Sequence, residues 1–89
     1  MSQDNDSPAD RERVGKAITW AIVAFFKRRL ATGQAEFKAD DLRRYVREQV
    51  GDAIAPASPD RIMRHLRHGG TINYELVSRS ESRYRVTGA

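Results

Sequence analysis

Between residues 14 and 25 the apolar positions Val14, Ala17, Ile18, Ala21, Ile22 and Phe25 recur at intervals of three and four. That spacing places them on one face of an α-helix. Ser7-Pro8-Ala9-Asp10 has the chemistry of its start, with Ser7 as N-cap, Pro8 at the first helical position and Asp10 at a capping-box-like spacing. Thr32-Gly33 ends it, so the first helix is expected over about 8–31. Trp20, Val23, Ala24 and Phe26 add apolar bulk outside the stripe. A helix so apolar around its girth is either clasped from two sides or used in self-association. The self-association reading selects Trp20, Val23 and Phe26 as a homodimer interface.

The remaining pattern is shorter-ranged. Gln34 to Lys38 reads as extended, with Phe37 as inward anchor. Asp40 or Asp41 starts a second helix with Leu42, Tyr45 or Val46, and Val50 inward, and Gly51 ends it. Asp52 to Ala57 is a loop containing Pro56. Ser58-Pro59-Asp60 repeats the helix-start chemistry, and a third helix runs from about Pro59 to His68, stopping at Gly69-Gly70. Thr71 to Leu76 then alternates, with Ile72, Tyr74 and Leu76 on one side. Arg83 to Thr87 alternates again, with Tyr84 and Val86 inward. Two alternating runs joined by the polar stretch Val77 to Ser82 predict a β-hairpin. The fold class is therefore α+β: three helices, a small antiparallel sheet and a C-terminal hairpin.

Length and composition narrow the function classes. Eighty-nine residues hold one domain and one modest core. No cysteine is present, so disulfides and thiolate metal sites are excluded. The apolar run from Ile18 to Phe26 is far short of the roughly 20 residues of a membrane span. The N-terminus is acidic, unlike a signal peptide. A cytoplasmic, nucleoid-associated protein is expected. Residues 1–7 read as a disordered acidic tail and 8–89 as the folded domain. Three of the chain's 12 acids lie in the first ten residues, which leaves nine against all 16 Lys and Arg over the remaining 79, a net of +7. A small basic domain favours polyanions such as nucleic acid.

The third helix concentrates that charge. At 3.6 residues per turn, Pro59, Ile62, Met63 and Leu66 fall on one side, and Arg61, Arg64, His65 and His68 on the other, with Arg67 at the flank. Guanidinium groups donate paired hydrogen bonds that suit guanine edges and phosphates. Asp60 is the only acid beside them, whereas an ordinary surface helix mixes signs. At the hairpin tip Ser78, Arg79, Ser80, Ser82 and Arg83 combine hydroxyls with two cations and could reach phosphates or a minor groove. Lys38, Arg43 and Arg44 could add phosphate contacts near the second helix.

The stretch from Ser58 through Arg61, Arg64, Leu66-Arg67, Gly69-Gly70, Ile72 and Tyr74, followed by Tyr84-Arg85-Val86, resembles the DNA-reading helix and hairpin entry of winged helix-turn-helix domains. It is similar in particular to those appended to some restriction endonucleases. The resemblance covers about residues 14–87, and its specific part is 58–86. His65 and Gly69 stand where a charged and an apolar residue are common. The resemblance implies a DNA-binding fold, with Ser58 and the arginines of the helix on the duplex, and it does not imply a nuclease.

Catalytic and metal chemistry find little support. His65 and His68 have a chelating spacing, but no cysteine or nearby carboxylate completes a four-ligand set. Asp40-Asp41 suits a helix start better than general acid-base work. Gly69-Gly70 lacks the flanking pattern of a phosphate loop, and no nuclease-type Asp…Glu-x-Lys occurs. No cofactor, small-molecule substrate or membrane partner is expected. The expected function is non-catalytic binding of double-stranded DNA by a regulator or architectural factor. The alternative is a protein-interaction module that uses the apolar surface of helix 8–31.

Overall fold

A computed structural model describes residues 8–51 and 58–89, with side chains from residue 13 onward. The Ser7 cap, the side chain of Asp10, the tail at 1–7 and the loop at 52–57 lie outside the described residues. The first helix, α1, spans Pro8–Thr32. Its end is a Schellman motif: Gly33 takes φ 75°, its amide donates to Leu30 and that of Gln34 donates to Arg29. Strand β1 (Glu36–Lys38) follows, then α2 (Ala39–Val50) and α3 (Ser58–His68). Strands β2 (Asn73–Ser78) and β3 (Arg83–Gly88) close the chain as a hairpin.

Asp40 and Asp41 sit in the first turn of α2, where carboxylates complement the helix dipole. Asp41 Oδ2 also accepts from the Lys38 amide at 3.0 Å, which satisfies one donor that no helical carbonyl can reach. Ser58 is the first helical residue of α3, one place inside the cap position expected of it. At the other end of α3 a second Schellman motif forms. Gly70 adopts φ 86°, its amide donates to Arg67, and Thr71 donates to Leu66 at 3.0 Å. A Cβ on Gly70 would meet nothing within 4 Å, so the demand for glycine is conformational. Gly70→Ala is expected to cost about 1–2 kcal/mol, read as a lower urea midpoint at unchanged slope. An unchanged midpoint would show that the chain leaves α3 by another route.

The three strands form one antiparallel sheet in the order β1-β3-β2. Tyr74 pairs with Val86, and Phe37 with Tyr84. Arg85 stands between Glu36 and Glu75 on the neighbouring strands, at 2.9 Å and 2.6 Å from their carboxylates. This outer row of alternating charge leaves the other face to the core. The core joins Ile18, Ile22 and Phe26 of α1 to Phe37, Leu42, Val46, Met63, Leu66, Ile72, Tyr74 and Val86. Its centre is aromatic: Phe26 lies 5.4 Å from Phe37 and 5.8 Å from Tyr74, ring centroid to centroid. This is an α+β domain whose described residues form three helices and a three-stranded antiparallel sheet, a layout compatible with a winged helix.

Four sequence expectations change. Helix α1 packs against α2, α3 and β3, so its girth is apolar chiefly because it is clasped. Phe26 is 0% exposed and is core, not dimer surface. Val23 is half-buried and packs against the core. Val14 and Ala17, placed on the inward stripe, are exposed instead. In β2, Leu76 is exposed although it shares a side with Tyr74, and the register shifts between Leu76 and Ser78.

Candidate nucleic-acid interface

Helix α3 turns Pro59, Met63 and Leu66 into the core and leaves Arg61, Arg64, His65, Arg67 and His68 exposed. The 3.6-residue period enforces this division: apolar side chains at 59, 63 and 66 fix the helix by burial, and the cations between them must then point outward. The two ends of α3 hold it differently. At its N-terminal end Asp60 receives Arg43 of α2 through two hydrogen bonds, Nε to Oδ1 at 3.2 Å and Nη2 to Oδ2 at 2.6 Å. Arg43 also donates to Asp40 at 3.0 Å. The Asp60 hydrogen bond leads the causes that raise the Arg43 pKa above its ordinary value, against opposing desolvation. At the C-terminal end the Arg67 guanidinium lies 4.9 Å over the ring of Tyr74, a cation–π contact between helix and sheet.

The sequence nominated eleven residues for nucleic acid, and the structure sorts them by whether their charge is already met. Arg61, Arg64, His65 and His68 have no ion pair or hydrogen bond among the described residues. Arg79 is exposed in the hairpin turn. Ser58 is partly exposed at the start of α3. Lys38 is exposed at the end of β1, near enough to Glu81 to help lower its pKa, after the larger effects of Arg83.

Three nominated cations have acids beside them within the fold. Arg43 holds α2 to α3, as above. Arg44 is 3.7 Å from Asp41. Arg83 donates to Glu81 through Nε at 3.0 Å and Nη2 at 2.8 Å, and its Nη1 lies 3.9 Å from Glu36. The Glu81 hydrogen bond is the largest cause raising the Arg83 pKa. The turn is shaped by Ser82, which takes φ 50°, unusual for a residue other than glycine. Its carbonyl accepts from the Ala39 amide at 2.9 Å, so the turn of the hairpin is tied to the start of α2.

Two features escaped the sequence reading. One is the Arg43–Asp60 bridge: the partners are 17 positions apart, and only the lone acid on a basic helix hinted at it. The other is the pair of apolar grooves beside Trp20, a residue that the sequence named for self-association and that is 79% exposed. Trp20 stands between them, one of about 380 Å³ with Ala21, Ala24, Tyr45 and Val50, the other of about 560 Å³ with Gly15, Ile62 and His65. No described helix is long and apolar enough to cross a membrane. No group of three or more His, Asp or Glu side chains comes together among the described residues. No protein-family model, curated protein or solved structure matches the chain.

Proposed function

We propose that the chain is a winged helix-turn-helix domain that binds double-stranded DNA without catalysing a reaction, as a transcriptional regulator or architectural factor. Helix α3 enters the major groove with its N-terminal half nearest the bases, and the 78–83 turn approaches the backbone or minor groove. The observation that carries this reading is the outward row Arg61, Arg64, His65 and His68 on α3, whose guanidinium charges no acid meets among the described residues. A helix-surface cluster of one sign is repulsive unless an outside polyanion completes it. Arg79 extends the cationic surface to the turn, while Arg83 is largely neutralised by Glu81 and contributes less.

The test is duplex binding by fluorescence anisotropy at 50 and 200 mM salt. Four phosphate contacts predict a loss on the order of a hundredfold across that interval through counterion release. Binding that is absent, or that ignores salt, overturns the proposal.

Trp20 favours a second reading, a surface for another protein chain. A wholly exposed indole between two apolar grooves is a large apolar area left in water, and its simplest occupant is a second copy of this chain. Light scattering at high concentration should then give a dimeric mass for the wild type and a monomeric one for Trp20→Ala. A monomeric wild type removes this reading and leaves the DNA proposal standing.

A further inference from the structure

Arg64, Arg67 and His68 of α3 line one cavity of about 390 Å³ together with Tyr74 of β2. Among the described residues no carboxylate lines it. The two acids nearest in sequence are occupied elsewhere: Asp60 by Arg43 at 2.6 Å and Glu75 by Arg85 at 2.6 Å. Tyr74 itself is buried, and Arg67 covers its ring, so no base has an open aromatic face to stack on. The stacking holds the Arg67 guanidinium in place, so its donors lose little further freedom when they meet an anion. Arg64 and His68 are exposed and make no hydrogen bond or ion pair among the described residues. On the helical wheel Arg64 and Arg67 occupy the flank of α3 toward the sheet, His68 lies at the middle of the outward face about 20° from Arg61, and His65 lies on the opposite flank.

We propose that this cavity seats a single phosphodiester of the bound duplex and so fixes the register of α3 along the groove, an assignment that rests on the DNA-binding reading above. The chemistry it fits is a tetrahedral oxyanion met by planar guanidinium donors and an imidazole. A carboxylate ligand would use one fork and leave the other guanidinium and the imidazole unmet. The cavity therefore supplies affinity and position, and base discrimination is left to Arg61 and His65.

The division can be read in solution. Arg67→Ala should weaken binding about tenfold on every duplex sequence alike, and lower the slope of log affinity against log salt by about 1. His68→Ala, at a side chain without internal partners, should reduce affinity in the same sequence-independent way and keeps the test open if Arg67→Ala disturbs the Tyr74 contact. Titration of the wild type with inorganic phosphate, followed by nuclear magnetic resonance, should move the His68 imidazole signals and leave those of the two grooves beside Trp20 unmoved. If both variants keep wild-type affinity and salt slope while the wild type binds duplex, the phosphodiester pocket is wrong and the α3 reading survives. If the wild type shows no salt-sensitive duplex binding, both fall. If phosphate moves His68 in that case, the cavity is a site for free phosphate and not for a DNA backbone.

Discussion

Phe26→Ala should lower the stability of the domain by about 3–5 kcal/mol. Phe26 is wholly buried where α1 meets the sheet, with Phe37 and Tyr74 in edge-to-face contact at 5.4 Å and 5.8 Å. Removing the ring loses its transfer free energy and leaves a cavity bounded by other aromatic rings, which cannot collapse around it. A domain of this length has a total stability toward the low end of about 5–15 kcal/mol. The substitution should therefore leave a substantial unfolded fraction at 37 °C, seen as loss of helical circular dichroism and a steep fall in the urea midpoint. Trp20→Ala, six residues earlier on the same helix, should change stability by only about 0.5 kcal/mol. Equal effects of the two substitutions would mean that α1 is rotated about its axis relative to the arrangement described.

That contrast also marks where the sequence could be read and where it could not. Element order was legible because it rests on local chemistry, while the first hairpin strand runs Asn73–Ser78 and not 71–76 as its alternation suggested. Glycines at 33 and 70 end helices in the left-handed conformation, carboxylates cluster in the first turn of α2, and alternation announces the hairpin. The division of α3 into buried and exposed residues was legible because a helix with four apolar positions on one side and three arginines and two histidines on the other has one way to lie on a core. Phe26 was not separable from Trp20 by periodicity, whereas Phe25 fell on the inward stripe and is buried. Phe26 and Trp20 are both large and apolar, and which of them is covered depends on α2, α3 and β3 arriving from different directions. The internal engagement of Arg43 and Arg83 was hidden for the same reason. An arginine's partner is set by the fold, and the sequence shows only that a cation is present. Leu76 obeyed its alternation and is still exposed, since alternation says which side a residue faces and not whether anything lies there.

The double variant Arg61→Ala/Arg64→Ala should reduce duplex affinity by roughly thirtyfold or more while leaving the urea midpoint almost unmoved. The stability half follows from exposure. Neither side chain makes an internal ion pair or hydrogen bond, so truncation leaves nothing buried or unmatched, and surface changes of this kind stay within about 0.5 kcal/mol each. The binding half follows from what each arginine does on a duplex. A guanidinium paired with a base edge contributes about 1–3 kcal/mol of discrimination, and one on a phosphate lowers the salt slope by about 1 when removed. The two single variants should therefore differ in kind. Arg61→Ala, on the side of α3 away from the sheet and nearer its N-terminus, should flatten the preference among duplex sequences. Arg64→Ala, at the cavity shared with Arg67 and His68, should weaken all sequences together and reduce the salt slope. Arg85→Ala is the control. It removes the same formal charge from the outer face of the sheet, where Glu36 and Glu75 already neutralise it, so affinity should hold within about twofold. If Arg85→Ala weakens binding as much as the pair on α3, the duplex is responding to net charge and not to the helix, and α3 loses its assignment as the reading element.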